Sequence, residues 1–155
     1  MVSGNQIRLN RILRKGRMLC IPMDHGISNG PIEGLEDPAS TIYKCEGHGL
    51  TSVIINKGII KSLPKPPKVG VLVHFSSSTA LSLSPNRKML TGTVKEAVAL
   101  GADGVSLHIN IGGKEEPTPR IVSFNVLHQF LGKEVMFSLT FGIVSNTSIY
   151  ITSKL

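Results

Sequence analysis

The 155-residue sequence contains no tryptophan, only two cysteines and comparatively few charged side chains. The two cysteines, Cys20 and Cys45, provide neither a disulfide framework nor the ligand spacing of a zinc site. We therefore expect free thiols and a cytoplasmic location. Charged residues make up 17% of the chain and hydrophobic ones 41%, a composition typical of a globular domain and not of a disordered segment.

Long apolar runs are also missing from the sequence. No stretch approaches the roughly 20 apolar residues that a transmembrane helix needs, so we expect no membrane association. The apolar run that follows the basic N-terminal residues is short and is interrupted by Asp24, unlike a secretory signal peptide. The length of the chain suits one domain.

The net charge of +7 raises the question of nucleic-acid binding. At helical spacing Arg8, Arg11 and Lys15 share one face, which is typical of a solvated amphipathic helix over residues 5–15. No aromatic residues for base stacking accompany these cations. We therefore expect no nucleic-acid partner.

Short apolar segments that alternate with helical patterns run through the first 109 residues. Such continuous apolar strands are typical of a parallel sheet covered on both faces. No Gly-x-Gly-x-x-Gly motif follows the first strand, which disfavours a dinucleotide-binding fold. We predict an α/β fold, the N-terminal part of a TIM (β/α)8 barrel truncated to about four or five strands. The predicted strands are 18–23, 51–56, 69–73 and 103–109, with helices at 37–46 and 93–100, a turn or short helix at 57–62 and a long polar loop at 76–85.

Each predicted strand ends in polar residues that can do chemistry. The carboxyl ends of parallel barrel strands meet at one rim, where the active sites of such barrels lie. Aspartate and histidine are also the side chains that most often transfer protons. Taken singly, His74 and His108 are better explained as partly buried structural histidines. The strand-end residues are Asp24 and His25, then Asn56 and Lys57, then His74, and finally His108 and Asn110.

Several segments, in order and at family spacing over about residues 5–115, resemble the archaeal class I aldolases. They are Arg8-Leu-Asn-Arg-Ile12, Ile21-Pro-Met-Asp-His-Gly-Ile-Ser-Asn-Gly-Pro-Ile32, Asn56-Lys-Gly-Ile59, Ser76-Ser-Ser-Thr79 and the stretch from Thr93 to Gly112. This resemblance implies a (β/α)8 barrel in which a lysine forms a Schiff base with a keto-sugar phosphate, without a metal or organic cofactor. It implies that Asp24 accepts a proton and that the substrate is held by Asp24, His25, Gly26, Ile27 and Ser28.

The sequence of the first strand and its loop indicates which branch of the family this chain resembles. The form Pro22-Met-Asp-His-Gly-Ile-Ser-Asn-Gly-Pro31 favours the enzymes that condense a keto-sugar phosphate with aspartate semialdehyde on the archaeal route to 3-dehydroquinate and the aromatic amino acids. The fructose-1,6-bisphosphate aldolases are the alternative within the family. A non-catalytic sugar-phosphate-binding or interaction protein is the alternative from another class.

The resemblance ends near Glu116. We interpret residues 1–116 as the N-terminal half of the barrel and 117–155 as a divergent tail. A frameshifted or prematurely terminated reading frame is the favoured explanation, and a purposeful half barrel is the alternative. In the family the Schiff-base lysine lies on the sixth strand, and the proton-donor tyrosine lies in a Tyr-Pro-Arg-Gly segment. Matched by length, this chain reads Leu139-Thr-Phe-Gly142 at that segment, and Tyr150 is too distant to replace the tyrosine.

Two further expectations follow from the half-barrel interpretation. Lys57 could act as a substitute nucleophile, but a rim cation that attracts phosphate is the favoured interpretation. A half barrel leaves strand edges unpaired, so we expect the chain to self-associate.

Overall fold

Strands and helices alternate along the chain, as the apolar pattern predicts. The computed structural model describes residues 4–84, 88–111, 136–143 and 147–153, with side chains described up to residue 108 except for that of Asn5. The helices are α1 (Gly4–Ile12), α2 (Gly26–Asn29), α3 (Pro38–Cys45), α4 (Lys57–Ser62) and α5 (Val94–Ala99). The strands are β1 (Cys20–Pro22), β2 (Ser52–Asn56), β3 (Gly70–His74), β4 (Ser76–Ser77), β5 (Met89–Leu90), β6 (Gly104–Ile111), β7 (Met136–Ile143) and β8 (Thr147–Ser153).

The main sheet has the strand order β1-β2-β3-β6-β7-β8. The pairs from β1 through β7 are parallel, and β8 pairs with β7 in the antiparallel direction. Each successive parallel strand therefore lies beside the previous one, which is the order of a barrel and not of a doubly wound sheet. The prediction of a partial (β/α) barrel with four or five strands is confirmed.

Strands β2 and β3 and the described side chains of β6 are largely buried on both faces, and alternate residues contact different neighbours. Val53, Val71 and Val105 face the helices and belong to two buried clusters with residues of α3 and α5. Ile54 and Leu72 point the other way and pack against Ile12 of α1. We call this second side of the sheet the inner face.

Helix α1 closes the N-terminal end of the inner face. Its last residue, Ile12, is fully buried, and a β-carbon on Gly70 would lie 2.9 Å from the Ile12 Cα, so only glycine fits at that position. Arg11 Nη1 lies 3.1 Å from Oδ1 of the buried Asp103, whose Oδ2 accepts a hydrogen bond from the Val71 N–H at 2.9 Å. Burial raises the pKa of Asp103, whereas that hydrogen bond and the charge of Arg11 act to lower it.

Two sequence predictions about the N-terminal region were wrong in detail. The first helix ends at Ile12 and not at residue 15, because Lys15 and Gly16 adopt left-handed backbone conformations, with φ of 50° and 74°. Lys15 therefore does not share a helix face with Arg8 and Arg11. Strand β1 was predicted to be buried, but its three residues are only half-buried because β1 lies at the edge of the sheet.

Short elements interrupt two segments that the sequence suggested were loops. One turn of helix, α2, follows β1, and the predicted loop 76–85 begins with β4, which pairs with β5 in a separate two-stranded antiparallel sheet. We call β4 and β5 the rim hairpin. Ser76 Oγ accepts a hydrogen bond from the His108 N–H at 2.9 Å, and Thr91 N–H donates to the Phe75 carbonyl at 2.8 Å. These bonds fix the rim hairpin to β6 and to the end of β3.

The predicted tail falls largely outside the described residues, since 112–135 are not described. The boundary at residue 116 and the frameshift therefore stay predictions. In the described part of the chain, no helix combines the length and apolar character required to cross a bilayer.

Candidate functional site

The carboxyl ends of four neighbouring strands meet on the inner face. Asn56 of β2 pairs with His74 of β3, and His74 pairs with Ser106 of β6. Asp24 follows β1, and its backbone carbonyl accepts a hydrogen bond from Asn56 Nδ2 at 3.1 Å. The predicted convergence of strand ends is confirmed for Asp24, Asn56 and His74, and the sequence reasoning did not single out Ser106.

The Asp24 carboxylate contacts two histidines. Its Oδ2 lies 3.3 Å from His74 Nδ1, and its Oδ1 lies 3.8 Å from His25 Nδ1. The same His74 nitrogen lies 3.1 Å from Ser106 Oγ. An ionised carboxylate only accepts hydrogen bonds, so these contacts favour the tautomer in which Nδ1 of His74 carries the proton. Asp24 thus keeps a fixed orientation while 19% of its side chain stays exposed.

His74 is a buried titratable group. Burial lowers its pKa below the ordinary value of 6.5, the charge of Asp24 opposes that shift, and His108 and Lys88 reinforce it. The neutral imidazole is therefore the form that the folded protein favours.

We expect this burial to make the protein less stable in mild acid. Because the pKa of His74 is lower in the folded state than in the unfolded state, the unfolded chain takes up a proton first as the pH falls below about 6.5. The contribution of His74 to the free energy of unfolding is present above that pH. It is lost as the pH falls toward the folded-state pKa, by at most about 1.4 kcal/mol per pH unit. Urea unfolding between about pH 7.5 and 5.5 measures this slope.

The matched variant for this prediction is His74→Asn, which keeps an N–H donor toward Asp24 and does not titrate. It should lose part of the pH slope relative to the unaltered protein. An identical slope in both proteins would show that His74 is not the responsible group.

A cavity of about 280 Å³ lies at this rim. It contains three of the five predicted site residues, Asp24, His25 and Ser28. The other two, Gly26 and Ile27, lie in α2 and line a neighbouring cavity of about 570 Å³. His74 lines both cavities. The remaining residues of the smaller cavity, which we call the Asp24 cavity, are Pro22, Asn29, Ile54, Lys88, Ser106 and His108.

Lys57 is a rim residue, but its ammonium is engaged by other groups. Its Nζ donates to the Thr91 carbonyl at 2.6 Å and lies 3.2 Å from Glu96 Oε1. It lines the larger cavity with Asn56 and not the Asp24 cavity. The side chains of Asn110, Tyr150 and residues 139–142 lie outside the part of the structure whose side chains are described.

Ser106 and Lys88 are polar residues of the Asp24 cavity that sequence reasoning did not single out. Ser106 lies two residues before His108 in β6, so the alternation of a strand places both side chains on one face, and this signal was available. Lys88 carried no such signal, since it lies in a polar segment before β5. Its Nζ donates to Ser78 Oγ at 2.7 Å. Burial lowers the pKa of Lys88, whereas the charge of Asp24 acts to raise it.

The Asp24 cavity therefore combines a carboxylate, histidines, hydroxyls and an ammonium. In the region that the structure describes, no three His, Cys, Asp or Glu residues are grouped as a metal site. Both cysteines are free, and burial raises the pKa of Cys20. The arrangement suits proton transfer on a polar ligand.

Comparisons with known proteins place the chain in a family. The model of the DeoC/LacD family aldolases matches residues 18–137. The 2-amino-3,7-dideoxy-D-threo-hept-6-ulosonate synthase of Halobacterium salinarum is 44% identical over 116 residues, which cover 74% of this chain and 44% of that protein. Synthase 1 of the same name from Archaeoglobus fulgidus is 37% identical over 115 residues, covering 73% of this chain and 44% of that protein. The chain thus spans less than half the length of these relatives.

Solved structures agree at the level of the fold. An archaeal fructose 1,6-bisphosphate aldolase superposes with a TM-score of 0.77 at 20% identity, covering 88% of this chain and 56% of that one. The fructose-bisphosphate aldolase of Slackia heliotrinireducens superposes with a TM-score of 0.73 at 14% identity, covering 92% of this chain and 51% of that one. With its parallel half barrel and a family match over most of its length, this chain belongs to the DeoC/LacD family of aldolases.

Proposed function

We propose that this chain forms the Asp24 side of a class I aldolase site that condenses a keto-sugar phosphate with aspartate semialdehyde, as in a 2-amino-3,7-dideoxy-D-threo-hept-6-ulosonate synthase. The observation that supports this most directly is the Asp24 carboxylate, fixed 3.3 Å from His74 at the edge of a rim cavity. The names of the two curated relatives, at 44% and 37% identity, support the choice of substrates.

The chemistry would divide between Asp24 and a Schiff-base lysine. An iminium formed on a lysine withdraws electrons from the adjacent carbon, so that a C–C bond beside it can form or break. The family resemblance places that lysine on a sixth barrel strand, beyond the five parallel strands described. Asp24 would accept the proton that leaves the bound ligand, and the N–H of His74 would stabilise the carboxylate before the transfer.

The test measures binding of a keto-sugar phosphate to the full chain. We expect 6-deoxy-5-ketofructose phosphate to bind, and Asp24→Asn to weaken its affinity by about 10- to 100-fold, since hydrogen bonds to a charged group contribute about 1.5–3 kcal/mol. Calorimetric titration gives both dissociation constants.

Glu33→Gln is the matched control for this substitution, because it removes one carboxylate from an exposed position in the same connecting segment. It should bind the sugar phosphate as the unaltered chain does. Equal affinity of the Asp24→Asn and Glu33→Gln variants would contradict the proposal.

A second candidate, sugar-phosphate binding without turnover, is favoured by the engagement of Lys57 with Thr91 and Glu96. Borohydride reduction in the presence of the keto-sugar phosphate distinguishes the two. An adduct on Lys57 would assign it the nucleophilic role, whereas binding without any adduct would favour the non-catalytic alternative. If turnover occurs, a preference for glyceraldehyde 3-phosphate over aspartate semialdehyde would indicate a fructose-bisphosphate aldolase.

Self-association and a cytoplasmic location also stay proposals. The first is supported by β1, which pairs only with β2 among the described strands, and the second by the two free cysteines. Sedimentation velocity and cell fractionation test them.

A further inference from the structure

We propose that Lys88, presented by the rim hairpin, is the group in the Asp24 cavity that binds an oxyanion of the ligand, a phosphate or a carboxylate. This inference deepens the proposed function and rests on it, because it names the residue that would select an anionic ligand at that site.

The placement of Lys88 is set by its neighbours in the fold. It precedes β5, whose residues Met89 and Leu90 pair with Ser77 and Ser76 of β4. Ser76 is in turn bonded to the backbone of His108, so the rim hairpin is joined to β6 beside the cavity. Lys88 is half-buried and lines the Asp24 cavity with Ser28 and His108.

The ammonium of Lys88 has capacity for a ligand. Of its three N–H donors, one is used in the hydrogen bond to Ser78 Oγ at 2.7 Å, which also fixes the direction of the side chain. Among the described residues it forms no ion pair with a carboxylate. Lys57 differs, because its ammonium donates a hydrogen bond to the Thr91 carbonyl and also forms an ion pair with Glu96. Lys88 is therefore the lysine of the Asp24 cavity that can bind a ligand.

Asp24, the one acidic residue of the cavity, would repel an oxyanion. Its carboxylate, however, already faces His74 Nδ1 at 3.3 Å and His25 Nδ1 at 3.8 Å, and the polar N–H of the neutral His74 stabilises the negative charge of Asp24. A bound oxyanion at Lys88 would restore hydrogen bonds to an ammonium that burial deprives of water. The hydroxyl of Ser28 offers a further donor in the same cavity.

The experiment titrates the full chain with inorganic phosphate and, separately, with acetate. Histidine ring resonances of His25, His74 and His108 report occupancy by NMR. We expect at least one of the two anions to shift them. We expect Lys88→Met, which keeps the aliphatic stem and removes the charge, to weaken that anion's affinity by about tenfold or more.

Two variants make the result specific. Lys88→Arg keeps the cation and should retain binding. Lys61→Met removes an equal charge from an exposed lysine of the larger cavity and should bind as the unaltered protein does. The anion that binds also identifies the ligand chemistry, phosphate ester or carboxylate.

Three outcomes would overturn the inference: neither anion binds the unaltered protein, Lys88→Met binds equally well, or Lys61→Met loses as much affinity. The proposed function fails separately. If Lys88 binds the anion but the chain does not bind the keto-sugar phosphate, the function is wrong and the oxyanion site stands. If the sugar phosphate binds equally to the unaltered chain and to Lys88→Met, the assignment of Lys88 is wrong and the proposed function stands.

Discussion

Replacing Asp103 with alanine is expected to lower the free energy of unfolding by about 3 kcal/mol. The Asp103 side chain is almost fully buried and accepts a hydrogen bond from the Val71 N–H at 2.9 Å. The substitution would leave that N–H without its partner and would remove the partner of Arg11. The guanidinium of Arg11 is half-exposed, so water can replace part of its lost contact with Asp103. The expected loss of stability is therefore near the lower end of the range for breaking a buried ion pair. Urea unfolding measures the difference.

The conservative variant Asp103→Asn separates the hydrogen bond from the charge. Its side-chain oxygen can still accept from Val71, so we expect a smaller loss than for alanine. Because burial raises the pKa of Asp103, ionising it disfavours folding: its contribution to stability is full below the ordinary value of 3.8 and is lost as the pH rises through the folded-state pKa. Asn at this position removes that dependence. Equal losses for both variants at every pH would contradict the assigned roles.

Replacing Phe75 with alanine is expected to cost about 3–5 kcal/mol, the usual range for deleting a buried aromatic ring. Phe75 is fully buried and belongs to the cluster with Val73, Val94 and Leu107. It is also the residue after His74, and its carbonyl accepts from both the N–H and the hydroxyl of Thr91. The cavity left by the ring would loosen the segment that connects His74 with the rim hairpin.

Phe75→Leu provides the comparison, because it retains most of the apolar volume and should cost about 1–2 kcal/mol. We expect denaturant unfolding to rank the leucine variant between the unaltered protein and the alanine variant. An alanine variant within about 0.5 kcal/mol of the unaltered protein would show that Phe75 is not part of the cooperative core.

The strands of the half barrel could be predicted because their chemistry is local. β2 and β3 are continuous apolar segments, and the helices α3 and α5 carry their own caps. Asp37 accepts from the Ser40 N–H at the start of α3, and Thr93 accepts from the Glu96 N–H at the start of α5. The rim hairpin could not be predicted in this way, since its strands are two residues long and are fixed by contacts to distant segments.

The candidate site shows the same division. Asp24 and His74 were predicted because each ends a strand, and parallel strand ends must meet. The separation of Gly26 and Ile27 from Asp24 was not predictable, because it depends on the turn of α2, whose first two residues line the larger cavity and whose last two line the Asp24 cavity. Lys88 reaches the site through the rim hairpin, and no local pattern in the sequence encodes that approach.

The pairing of β8 has a consequence for any polypeptide that would complete this barrel. A strand offers one hydrogen-bonding edge on each side, and those of β7 are taken by β6 and β8. In a closed barrel the next parallel strand would occupy the edge that β8 holds in the antiparallel direction. An incoming segment that takes this edge of β7 must therefore exchange with β8, whereas beside β1 it can add without displacing any strand described. Completion from the two ends would follow different kinetics, strand displacement at one and simple docking at the other.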